Sequence, residues 1–178
     1  TILVCSAAWA QTQWSNVGAM PQVVARGAFA YDSHRDRVIS FDLSGHWEYD
    51  GTSWTQLTLA IMPVTSVGAW LTYDPVRRRS VLFGGNTFGT WEWDGLNWNQ
   101  VAPSGGPARS GAGVVYHKGR GTVILFGGEG STQTYNDMWE WNGATWSLIQ
   151  ATNPPPLGTI VNPIRYHNLT YDQARDVL

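Results

Sequence analysis

The sequence predicts an all-β chain assembled from repeated four-stranded antiparallel units. Three observations predict it. A block of residues marked by Tyr31, Tyr73, Tyr116 and Tyr171 recurs at intervals of 42, 43 and 55 positions. Inside each block, short apolar runs end in Asp-Gly, Asn-Gly or Gly-Gly turn signals. The 20 Gly and 9 Pro are spread over all 178 residues, and no stretch shows the 3.6-residue apolar periodicity of a helix.

Each repeat reads as four strands in order. The first is small and apolar and runs into the tyrosine, as in Gly27-Ala28-Phe29-Ala30-Tyr31. A polar turn follows, with an arginine four residues after each tyrosine: Arg35, Arg77, Arg120 and Arg175. The second strand is an uninterrupted apolar run such as Val81-Leu82-Phe83 or Val123-Ile124-Leu125-Phe126, suited to burial on both faces. It ends at Gly84-Gly85 and Gly127-Gly128, with Asp42-Leu43 in the first copy. The third strand carries Trp47-Glu48-Tyr49-Asp50-Gly51, Trp91-Glu92-Trp93-Asp94-Gly95 and Trp139-Glu140-Trp141-Asn142-Gly143. The fourth holds a second tryptophan seven residues later: Trp54, Trp98 and Trp146.

Four antiparallel strands per repeat of this length predict the blades of a β-propeller. The expected blades are 27–58, 67–102 and 108–149, with an incomplete fourth from 164 to 178. Trp14-Ser15-Asn16-Val17 matches the fourth-strand pattern and is expected to be a strand lent to a blade that lies beyond residue 178. The apolar run into Gly84-Gly85 and Gly127-Gly128, followed by an aromatic and a spaced Trp, resembles the kelch repeat of the galactose oxidase-like central domain superfamily, in its bacterial secreted form. The resemblance covers roughly residues 14–178. It implies a partial kelch propeller, a fold that hosts both binding modules and enzymes.

Net charge is −2, and Lys118 is the one lysine, so no broad basic field exists for nucleic acid. The single cysteine, Cys5, excludes an intrachain disulfide framework. Residues 1–10 end in Ala8-Trp9-Ala10 and read as the end of a secretory signal with a small-x-small cleavage site, which implies a secreted or cell-surface protein. No apolar stretch is long enough for a membrane span.

In such a blade the 1–2 and 3–4 hairpins share one face of the disc, and the 2–3 loops and 4–1 crossovers share the other. The large length differences between repeats all fall on the second face, where binding residues are expected. Candidates there are Asn86 and Phe88; Glu129, Tyr135 and Asp137; Arg26, Arg109 and Arg165 just before the first strands; and His46 and His167. The arginines suit bidentate hydrogen bonding to a carboxylate or to sugar hydroxyls. The Asp32–Arg35, Asp74–Arg77 and Asp172–Arg175 turns and the repeated tryptophans recur once per blade and are expected to be structural. No catalytic residues, metal ligands or cofactor are expected: no metal-ligand spacing occurs. The Tyr–Cys crosslink of the copper oxidase in this superfamily needs a cysteine the repeats lack. The expected function is non-catalytic recognition of an extracellular glycan or protein. The alternatives are part of a galactose oxidase- or epimerase-like propeller enzyme, or a structural domain of a larger surface protein.

Overall fold

A computed structural model describes residues 3–8, 11–16, 27–64, 68–85, 89–102, 106–150 and 165–178 of the chain. The described residues contain strands, turns and loops and no helix. Three four-stranded antiparallel sheets dominate, each a simple meander in chain order. Sheet I comprises β3 (Ala28–Asp32), β4 (Arg37–Asp42), β5 (Gly45–Tyr49) and β6 (Trp54–Leu57). Sheet II comprises β7 (Ala69–Asp74), β8 (Arg79–Gly84), β9 (Thr90–Trp93) and β10 (Trp98–Ala102). Sheet III comprises β11 (Gly113–His117), β12 (Thr122–Phe126), β13 (Met138–Trp141) and β14 (Trp146–Ile149). The first strand of sheet II, β7, packs against the first strands of both neighbours, β3 and β11.

The N-terminal segment forms a separate hairpin. Strand β1 (Leu3–Ala8), in the region expected to end an export signal, pairs with β2 (Gln11–Asn16). Trp14, expected in a strand lent to a blade beyond residue 178, pairs with Cys5 in this hairpin. A two-residue connection makes this local pairing cheap in loop entropy. After sheet III, residues 165–178 form no strand; Asp172 and Val177 make an isolated antiparallel bridge.

The core lies between the sheets. One cluster joins Ala28, Ile39 and Phe41 of sheet I to Leu71, Leu82, Trp93 and Trp98 of sheet II. The other joins Val81 and Phe83 of sheet II to Ala112, Val123, Leu125, Trp141 and Trp146 of sheet III and the residue before it. Strand β8 thus sends Leu82 to one neighbour and Val81 and Phe83 to the other. That alternation is why its sequence is apolar without a break. In sheets II and III the Trp-x-aromatic pair faces the preceding sheet. Its second member is the buried one (Tyr49, Trp93, Trp141), and Trp47, Trp91 and Trp139 are half-buried. The double glycines follow from a close backbone approach. A Cβ at Gly84 would lie 2.9 Å from the Gly68 carbonyl oxygen, and one at Gly128 would lie 2.8 Å from that of Ser110. Asp42, which replaces a glycine in sheet I, accepts the Ser44 amide at 2.7 Å and turns the chain with its side chain.

The first turns of sheets I and II are built by an acidic residue, and in sheet III His117 takes its place, its Nδ1 accepting the Arg120 amide at 3.3 Å. Asp32 Oδ1 accepts the amides of His34 and Arg35, and Asp74 Oδ1 those of Val76 and Arg77, at 3.0–3.1 Å. The turn arginine then reaches the glutamate of the third strand. Arg35 holds Glu48 with two bonds of 2.8 and 2.6 Å; Arg77 joins Glu92 and Asp74; Arg120 donates to Glu140 at 3.0 Å. The glutamate of the Trp-Glu-aromatic motif is therefore the arginine's partner, a role carried in the sequence by its recurrence in all three copies. Burial pushes the Glu48 carboxyl up, but the His46 imidazole beside it and the two bonds from Arg35 outweigh that and bring it down to about 2.

Candidate functional site

At the end of the molecule where the first strands begin, an open cavity of about 650 Å³ is lined by Gly27, Gly68, Ala69, Trp70, Arg165 and Tyr166. Gly27 and Gly68 immediately precede β3 and β7, and Ala69 and Trp70 open β7. Their neighbours are tied by backbone bonds across the starts of successive repeats: Gly111 N–H donates to Gly68 O at 3.0 Å, and Tyr166 N–H to Gly111 O at 2.7 Å. Tyr166 takes a positive φ of 53° and stands beside Gly111 and Gly68, where a Cβ would meet its ring at 3.4–3.5 Å. Trp70 pairs with Phe83 in the sheet register, the position held by Ala28 opposite Phe41 and by Gly113 opposite Phe126. It is the one aromatic at that position of the three sheets, and its buried indole N–H has no acceptor among the described residues. The cavity thus offers two aromatic rings and a guanidinium side chain that is 41% exposed.

Several residues expected on this face gather around loops at the same end of the sheets. Arg109 is buried and pairs with Asp137, with a second bond of 3.1 Å, a third of 3.1 Å to Gly127 O, and its guanidinium 3.9 Å from the Tyr135 ring centroid. Burial pushes Asp137 up, but Arg109 and the Trp139 indole N–H, 2.8 Å away, hold it below the ordinary carboxylate range. Arg109, Tyr135 and Asp137 are therefore brought together, each engaged by the others, and they staple the 127–137 loop to the start of β11. The same loop is fixed by Glu129 and Ser110, which exchange backbone bonds of 2.8 and 2.9 Å. Glu129 also pairs with Arg165, so this one acidic residue faces the cavity arginine.

The two histidines are placed differently from each other. His46 is fully buried between sheets I and II, remote in role from any ligand: its Nδ1 accepts the Trp98 indole N–H at 2.9 Å and its Nε2 lies 3.4 Å from Glu48 Oε1. Thr90 occupies the same position in sheet II and accepts the Trp146 indole N–H at 2.7 Å. His46 is thus a packing acceptor. His46→Ala should lower unfolding free energy by about 2 kcal/mol, since it orphans a buried indole donor. His46→Thr, copying the sister position, should cost less than about 1 kcal/mol by urea titration. His167 packs edge-on against Phe126 with ring centroids 5.6 Å apart, and burial pushes its imidazole down. Arg26, Asn86 and Phe88 lie outside the described residues, as does the 153–163 crossover.

Sequence reasoning missed Trp70 and Tyr166. The available signal for Trp70 was a break in the repeat: a bulky ring where the other copies carry Ala28 and Gly113. Tyr166 had no such signal, because its placement comes from a backbone bond to Gly111. Among the described residues no group of three or more His, Cys, Asp or Glu is positioned to hold a metal ion, and no helix is long and apolar enough to cross a membrane. No protein-family model matches the chain, and no curated protein matches it.

Proposed function

We propose that the three sheets are blades of a partial kelch-type β-propeller, and that the chain is a non-catalytic recognition module of an exported protein that binds a glycan through the face where the first strands begin. The observation that carries this reading is the open cavity containing Trp70, Tyr166 and Arg165. Its volume is in the range of small-ligand sites. Aromatic rings give sugars an apolar face to stack on, and the Arg165–Glu129 pair presents a donor and an acceptor side by side, which suits adjacent sugar hydroxyls. The propeller reading is supported by three consecutive meanders whose first strands lie side by side. Export is supported by the composition of residues 1–10.

The test is a glycan array screened with the 178-residue chain, followed by calorimetry on the best binder. Trp70→Ala and Tyr166→Ala should each weaken binding by about tenfold or more, with the sheets intact by circular dichroism. A binder whose affinity ignores both changes would place recognition elsewhere, and an array with no binder would favour a protein ligand.

A further inference from the structure

His167 directly follows two residues that line the cavity, Arg165 and Tyr166, and its ring is seated on sheet III. The start of β11 and the end of β12 form the seat. A Cβ at Gly113 would lie 2.8 Å from His167 Nε2, so the glycine leaves the space that the imidazole fills. Phe126, opposite Gly113 in the register, meets the ring edge-on. Leu169 closes on the same glycine, its Cβ 2.9 Å from where one at Gly113 would stand. Both ring nitrogens of His167 are buried, and neither has a hydrogen-bond partner among the described residues. A neutral imidazole carries one donor and one acceptor, so leaving both unmet has a cost that packing alone does not explain.

The seat favours the neutral ring. Burial lowers its pKa, and the Phe126 backbone opposes that shift only in part. The elements around it bring no free carboxylate. β11 and β12 contribute Gly113 and Phe126. On its own segment Arg165 is engaged by Glu129, and on the loop that carries Glu129, Asp137 is engaged by Arg109. Further along the segment Asp172 accepts the amides of its own turn and Asp176 accepts the Tyr171 hydroxyl. Tyr166, next to His167, is held under strain. Its φ of 53° is a conformation that a bulky side chain keeps only where its surroundings impose it. Its N–H is tied to Gly111 O at 2.7 Å on one side, and the seated imidazole fixes the chain on the other.

We propose that His167 is an acid-sensitive latch for the cavity: seated and neutral, it holds Tyr166 and Arg165 in the wall, and once protonated it leaves its seat and draws both out of place. What this does to a ligand rests on the glycan reading above, whereas the movement itself does not. An imidazolium in this seat would have two N–H donors without an acceptor and a charge without a partner. Once the ring leaves, the strained φ of Tyr166 relaxes. Because the folded value lies below the ordinary 6.5, the seat is intact above that pH and weakens as pH falls through the window beneath it.

Two readouts on the 178-residue chain test this between about pH 7.5 and about pH 4.5. One is an NMR titration of the His167 ring, assigned by its loss in His167→Leu. The other is hydrogen exchange of the Tyr166 amide, corrected for the intrinsic rate. The ring should titrate below 6.5, and Tyr166 protection should fall by about tenfold or more with the same midpoint. In His167→Leu, whose side chain suits the apolar seat and does not titrate, protection should stay level. A ring that titrates at or above 6.5 overturns the proposal. So does protection that ignores pH, or that falls equally in His167→Leu. If that variant does not fold, the two wild-type midpoints decide, and a mismatch between them overturns the latch. A glycan array without a binder, with both readouts as expected, would sink the ligand reading and leave the latch standing.

Discussion

Trp98→Ala is expected to lower the free energy of unfolding by about 3–5 kcal/mol, a large share of the roughly 5–15 kcal/mol that holds a domain together. Trp98 is 2% exposed and belongs to the cluster that joins sheets I and II. Its ring meets Phe41 at 5.2 Å and Trp93 at 5.6 Å between centroids, and its N–H is the donor to His46. Alanine removes the ring from both sheets, leaves a cavity between them, and strands the His46 acceptor in the interior. Trp98→Phe keeps most of the apolar volume and should cost about 1–3 kcal/mol, the share of the lost hydrogen bond and residual void. Trp54 is the internal control. It holds the same repeat position and its indole N–H has no acceptor among the described residues, so Trp54→Ala should cost distinctly less than Trp98→Ala. Denaturant titrations of the three variants measure these differences. Equal losses at positions 54 and 98 would show that the strand-four tryptophan acts within its own sheet and not across the interface.

Arg77→Met should cost about 3–5 kcal/mol, because it removes the cation from two buried carboxylates. Asp74 and Glu92 are 1% and 6% exposed, and Arg77 bonds both, with Nε 2.8 Å from Asp74 Oδ2. Glu92 also accepts the Trp141 indole N–H at 2.8 Å, so the loss spreads into the interface with sheet III. Arg77→Lys returns a charge without the fork geometry and should recover part of the stability. Arg120→Met provides the contrast: that pair with Glu140 is 45% and 25% exposed and should be worth no more than about 1 kcal/mol. A small effect at Arg77, comparable to that at Arg120, would mean that water reaches Asp74 and Glu92 in its place.

The turn between the first two strands shows how the same residue types serve different ends. Asp32, Asp74 and Asp172 all accept the amides two and three residues on, a bond set by local geometry alone. The arginine that follows is local in sequence, yet its partner is a glutamate thirteen to twenty residues away on the third strand. Periodicity revealed that both recur; only the antiparallel register brought them together.

Legibility divides along the same line at the candidate site. An all-β chain of three four-stranded meanders follows from the sequence, because turn residues, strand-length apolar runs and a constant internal spacing are local properties that repeat. The outcome at the candidate arginines was not legible. Arg109 and Arg165 stand at comparable places before first strands, but one is buried on Asp137 and Tyr135 and the other is exposed at a cavity. Likewise His46 had the same composition signal as His167, and packing between sheets made it the counterpart of Thr90. Local bonding rules determined the strands and their turns. Which side chains lie between sheets, and which remain at the end where the first strands begin, was decided by tertiary contacts between residues distant in sequence, such as Arg109 with Asp137 within one repeat and Trp98 with His46 between two, which no spacing pattern encodes.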